Sequence, residues 1–204
     1  MSIALSNKNT FKLPDMVRLP AGEFWMGESD YDKFANNTER PSHRVTIEAG
    51  VSMGSHPVTV GEYRDYDPKH AVDEWPALPV VSVTWHDAVA YCAWLSDETG
   101  ITFRLPSEAE WEFACRAGSR TPFSFGNDIT IADANFFYSE SGERVGPGQR
   151  TAVGSYAANP LGLHDMHGQV CEWVADYWHA NYNNAPDDGS AWMADGDPNL
   201  RVIR

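Results

Sequence analysis

The rhythm of apolar and polar positions changes three times along this chain. Met16-Val-Arg-Leu-Pro-Ala-Gly-Glu-Phe-Trp-Met-Gly27 reads as a strand, a Pro/Gly turn and a second strand. Residues 28–42 are polar and rich in turn formers, so a loop is expected there. In His43-Arg-Val-Thr-Ile-Glu-Ala49 the apolar Val45, Ile47 and Ala49 alternate, the period of a half-buried strand. From Thr84 to Gly100 the period becomes helical, with Trp85, Ala88, Val89, Cys92 and Leu95 on one face. Thr84 is a good N-cap with Asp87 three residues on, and Gly100 suits a left-handed stop. A short strand is expected over Thr102-Phe-Arg-Leu105. A second helix then opens on the capping box Ser107-x-x-Glu110 and ends near Gly118.

Beyond residue 118 the periodicity is lost. Gly, Pro, Asn, Asp and Ser punctuate short apolar pieces as far as residue 204. Rings recur there (Phe123, Phe125, Phe136, Phe137, Tyr138, Trp173, Tyr177, Trp178), so we expect packed loops, pinned by ions, in place of disorder. Residues 1–15 form a polar tail, and 16–204 form one domain.

Charge narrows the partners. Fifteen basic against twenty-nine acidic residues give a net charge of −14, which repels nucleic acid and anionic lipid. No apolar run is long enough for a membrane span and no signal peptide is evident, so the expected compartment is the cytoplasm. Three widely spaced cysteines, Cys92, Cys115 and Cys171, form no CxxC pair and no disulfide framework. Each reads as a small core filler, since neither a base nor an electropositive setting is evident beside it.

Candidate chemistry concentrates in His164-Asp-Met-His-Gly-Gln-Val-Cys-Glu-Trp173. Calcium takes six to eight oxygens from carboxylates and carbonyls. A turn at His167-Gly168 would aim Asp165, the carbonyls of Gly168 and Val170, and Glu172 at one point. Solvated carboxylates around a turn explain the same spacing. Zinc at His164, His167 and Cys171 is a weaker alternative, because Gly168 interrupts a helix and a fourth ligand is missing. No Walker loop, GxGxxG, GxSxG, HExxH or EF-hand loop occurs.

The ordered motifs Phe24-Trp-Met-Gly27, His56-Pro-Val-Thr59, Pro79-Val-Val-Ser-Val-Thr-Trp-His-Asp-Ala88, Tyr91-Cys-Ala-Trp94, Arg104-Leu-Pro-Ser-Glu-Ala-Glu-Trp-Glu112, Gly162-Leu-His-Asp-Met-His-Gly168 and Glu172-Trp173 resemble the formylglycine-generating enzyme, or sulfatase-modifying factor, family. The resemblance implies an α+β, C-type-lectin-like fold with two main helices, short strands and much irregular structure. It implies structural calcium, with the second family site carried by Asp165, Gly168, Val170 and Glu172. The first site is carried only in part, by Asn135 and the Phe136 carbonyl, because Gly146-Pro-Gly-Gln149 supplies no Asp. Gln169 and Cys171 stand where the family has Asn and Trp, and losing the indole is expected to leave a gap or shift the loop. The family reaction is copper- and dioxygen-dependent oxidation of a sulfatase cysteine to formylglycine. Its copper-binding cysteine pair lies beyond the motif at Arg201-Val-Ile-Arg204. None of the three cysteines here matches it, so the chain as given is expected not to be a competent oxidase. Copper enters only if a further segment supplies two cysteines. The alternative is a non-catalytic module for a protein or peptide ligand, its surface lined by Trp178, Tyr182 and Trp192.

Overall fold

The computed structural model describes residues 11–28, 33, 35–139 and 141–204. Strands β1 (Met16–Arg18), β2 (Gly22–Met26), β3 (His43–Ile47) and β4 (Ser52–Gly54) lead into helices α1 (Val60–Tyr66), α2 (Trp85–Thr99) and α3 (Glu108–Arg116). A long irregular stretch then reaches β5 (Trp173–Trp178) and β6 (Asp197–Ile203). This α+β fold has no central sheet among the described residues. Three antiparallel pairs, β1–β4, β2–β3 and β5–β6, stand in its place. The strand–turn–strand at the start is real, but β1 and β2 do not pair with each other. Register sets Phe24 opposite Val45 and Val17 opposite Met53.

Capping chemistry fixes the helices. Thr84 Oγ1 accepts the Asp87 N–H, and the Asp87 carboxylate accepts the Thr84 N–H at 2.9 Å. Ser107 and Glu110 repeat the exchange for α3. Helix α1 was not expected. Thr59 and Glu62 form the same box, and Gly61 stays tolerable because it packs against Pro76. The strand expected at 102–105 does not form: the stretch carries no regular secondary structure and joins no sheet among the described residues.

Two cores form. The larger gathers Leu19, Met26, Val45, Ile47, Phe113, Ala114, Leu163 and Val174 around α3. The smaller joins Tyr63 of α1 to Tyr91 and Leu95 of α2, with Trp94 and Phe103 against it. Helix α2 therefore buries Tyr91 and Leu95, whereas Val89, expected inside, is 37% exposed. Tyrosine rings from α1 reach across that face and displace the predicted stripe toward a cleft. In the segment expected to be tail, Phe11 packs on Trp94 with ring centroids 4.9 Å apart.

The irregular half is tied down by long-range bonds. Trp85 and Trp173 donate indole N–H groups to the carbonyls of Val174 and Val83, at 2.9 and 3.1 Å. Asp176 accepts the Glu108 and Trp192 amides, both at 2.7 Å. Arg201 lies between the rings of Trp85 and Tyr177, 4.0 Å from each centroid. No helix among the described residues is long and apolar enough to cross a membrane.

Candidate functional site

Two constructions stand out: a buried ionic network on α3 and the turn at 165–172.

Every residue from Glu108 to Cys115 in α3 is buried, including Glu108, Glu110 and Glu112. Buried carboxylates need partners. Glu112 accepts the Gly27 amide at 2.8 Å and pairs with Arg116 at 2.8 Å and Arg204 at 2.6 Å. Glu108 accepts the Tyr182 hydroxyl at 2.9 Å and pairs with Arg204 at 3.2 Å. Burial pushes the Glu108 carboxyl up to about 7, against the opposing pull of Arg204 and the Tyr182 hydroxyl. Burial also raises Asp176. The network holds the end of β2, helix α3 and the end of β6 at one place. The Arg104–Leu–Pro–Ser–Glu motif ends in the same helix: Arg104 grips Glu110 with two bonds of 2.7 Å.

In the 165–172 turn, Asp165, Gly168 and Gln169 take left-handed backbone angles, with φ of 59°, 78° and 62°. Asp tolerates that region better than most residues, and Gly bears no penalty. A side chain at Gly168 would collide with the Asn135 carbonyl. The Val170 amide closes onto the Gly168 carbonyl at 2.8 Å. Asp165 Oδ2 accepts the Gly154 amide at 2.7 Å, while the buried Oδ1 has no hydrogen-bond partner. Burial raises the pKa of Asp165 and pushes Glu172 up to about 7; the Trp111 N–H nearby lowers the Glu172 value and the Asp165 charge raises it. Asp165 and Glu172 therefore act on one another electrostatically.

The donor set fits a hard cation. An orphaned buried carboxylate oxygen, a second desolvated carboxylate and the Gly168 and Val170 carbonyls are all oxygen ligands. Asn135 and Phe136 lie beside this turn. The Asn135 carbonyl accepts the Gln169 amide at 2.7 Å, and its side-chain amide donates to Gln149 O and Gln169 Oε1. The Phe136 carbonyl is packed against Gly146. Gln169, one of the family departures, also meets both the amide and the carbonyl of Thr151, at 3.0 and 3.2 Å. It stitches the two candidate sites together, a role no local sequence signal announced.

Zinc finds no such support. Among the described residues no three His, Cys, Asp or Glu side chains converge on one point. His167 turns to Cys115, 3.7 Å from Sγ, and accepts the Ser124 amide. Burial holds its pKa down at about 4. Cys171 is a correction: it is exposed, not a buried filler, so the lost indole leaves no hole in the core at that position. Cys92 and Cys115 are half-buried and buried, and burial pushes their thiols up to about 11 and 12. Of the three aromatics near the end, Tyr182 is buried, Trp192 stacks on His179 at 3.5 Å, and Trp178 alone is 42% exposed.

Short paired strands, three capped helices and an acid–arginine network around α3 define an α+β domain of the formylglycine-generating type. The chain belongs to the sulfatase-modifying factor enzyme 1-like domain family, whose model matches residues 2–204. The solved structure of PvdO from Pseudomonas aeruginosa is similar at 38% identity and a TM-score of 0.77, over 89% of this chain and 78% of that one. The formylglycine-generating enzyme of Thermomonospora curvata is 36% identical over 57% of this chain and 39% of its own length. The serine/threonine-protein kinase Pkn1 of Chlamydia trachomatis is 30% identical over 83% of this chain. The chain spans 29% of that kinase.

Proposed function

We propose that this domain is a non-oxidising member of its family, stiffened by a calcium-class cation at 165–172 and working as a binding module. The observation that supports it is the state of the thiols. Cysteine oxidation on copper needs two thiols that are close together and easily deprotonated. Here Cys92 sits on α2, Cys115 is locked against the Met166 carbonyl at 3.4 Å inside the core, and Cys171 stands exposed within the 165–172 turn. The two shielded thiols are harder to ionise than a free cysteine, not easier.

The cation's part is structural. Asp165, Glu172 and the carbonyls of Gly168 and Val170 would hold it, and it would offset the repulsion between the two carboxylates.

The test pairs copper(I) competition against a chelator with an assay of thiol-to-aldehyde conversion in a sulfatase-type cysteine peptide. We expect neither stoichiometric two-thiolate copper nor aldehyde. Either signal from this chain overturns the reading. The same assays on protein isolated from its native source, with its intact mass, extend the test to any longer form.

A further inference from the structure

Residues 102–105 have the pattern of a strand, yet they form none and join no sheet among the described residues. Alternate residues of an extended chain turn their N–H and C=O groups to opposite sides. Phe103 turns inward: its N–H donates to Ser96 Oγ at 2.8 Å, and its carbonyl accepts the same hydroxyl at 3.2 Å. The Leu105 carbonyl is also taken, by the Arg104 guanidinium. Thr102 and Arg104 face the other way. Neither their amides nor their carbonyls bond to any described group, and both residues are exposed. Two residues spaced i, i+2 with both groups free are an open ladder edge.

That edge borders a cleft of about 720 Å³. Ile47, Val51, Trp85, Val89, Phe103 and Leu105 supply its apolar wall. This is where α2 puts the stripe that its tyrosine-packed face displaced. The rim is acidic. Glu48 has no partner among the described residues, Asp188 bonds only locally, to the amide and side chain of Ser190, and Glu110 is already matched by Arg104.

We propose that this cleft accepts an extended basic–apolar peptide from a partner protein, which adds a strand to the 102–105 edge. The inference deepens the binding-module reading and rests on it. The free amides and carbonyls recur at strand spacing, which a polypeptide backbone matches and a compact small molecule does not. At about 3.3 Å per residue, some four to six residues of the partner cover the edge. Their alternate side chains fall on the apolar wall, and flanking Lys or Arg meet Glu48 and Asp188. A second copy of this chain is disfavoured as occupant by the repulsion of two bodies of charge −14.

The probe is a soluble acetylated and amidated peptide, Lys-Val-Thr-Val-Thr-Lys, alongside a version with Glu for Lys and one N-methylated at alternate amides. Binding is read by fluorescence anisotropy. Amide hydrogen exchange at Thr102 and Arg104 is read in parallel with iodoacetamide labelling of Cys92, which lines the cleft. At saturation the Lys peptide slows exchange at both amides about tenfold or more and slows Cys92 labelling. The Glu and N-methylated peptides bind at least about tenfold more weakly. V89D, at an exposed position on the wall, keeps the fold by circular dichroism and loses the peptide. Unchanged exchange at Thr102 and Arg104 under saturating peptide overturns the proposal. So does N-methylated peptide binding at full strength, which would mark an ordinary amphiphile pocket, or concentration-dependent dimerisation that itself protects the edge. A positive copper or aldehyde assay would sink the non-oxidising reading and leave the protection result to be judged separately.

Discussion

Tyr182→Phe isolates one bond of the α3 network. The ring is 7% exposed and packs edge-on against His43 at 5.3 Å, which phenylalanine preserves. Only the hydroxyl is lost, and with it the 2.9 Å bond to Glu108 Oε1. A hydrogen bond to a charged group is worth about 1.5–3 kcal/mol and one between neutral groups about 1 kcal/mol. Glu108 has a pKa of about 7, so the bond changes class near neutrality. At about pH 8 the acceptor is a carboxylate and the cost should be about 2 kcal/mol; at about pH 5.5 it is a neutral acid and the cost should be about 1 kcal/mol. For a domain of this size the first figure lowers Tm by about 4–8 °C. Urea melts of both proteins at the two pH values measure it. An equal cost at both pH values, or a larger one in acid, would refute the assignment of Glu108 as the group that ionises against this hydroxyl.

Three further outcomes follow from the same contacts. Glu108 sits above its ordinary value of 4.5, so the folded state holds the proton more tightly; the resulting stability is present below pH 4.5 and lost as pH rises to about 7. Glu108→Gln should flatten that slope in a series of urea midpoints. Arg204→Gln removes the cation shared by Glu108 and Glu112 and should cost about 3–5 kcal/mol, measured by chemical denaturation; a loss under 1 kcal/mol, about the worth of a surface pair, would contradict it. Glu172→Gln should lower Tm mainly in the presence of calcium, and Gly168→Ala should abolish the calcium response because its methyl meets the Asn135 carbonyl. Identical wild-type melts with calcium and with chelator would remove the structural ion.

The helices with both a capping box and an apolar repeat were legible, because those signals are local: Thr84–Asp87 and Ser107–Glu110 lie three residues apart. Thr59–Glu62 carried the same signal. Gly61 and a span of only seven residues hid it. Strand β6 was invisible, since Asp197, Pro198 and Asn199 read as a turn and its residues are mostly exposed. The candidate cation turn was readable from its own ten residues and from family likeness. The network was not, because Arg204 meets Glu108 and Glu112 across 96 and 92 residues and no window spans that distance. The inner face of α2 was misjudged for a related reason. A helix has two apolar stripes to choose between when a neighbour brings tyrosines, and the neighbour was the helix that went unseen.

The long reach of Arg204 also sets an order of events during synthesis. A ribosome delivers Glu108 and Glu112 nearly a hundred residues before the guanidinium that will face them. Throughout that interval Glu110 has Arg104 and Glu112 has Arg116, but Glu108 still lacks the cation that faces it, so the network stays incomplete. The corner where Glu108 meets Arg204 is therefore among the last parts of the core to close as the nascent chain emerges.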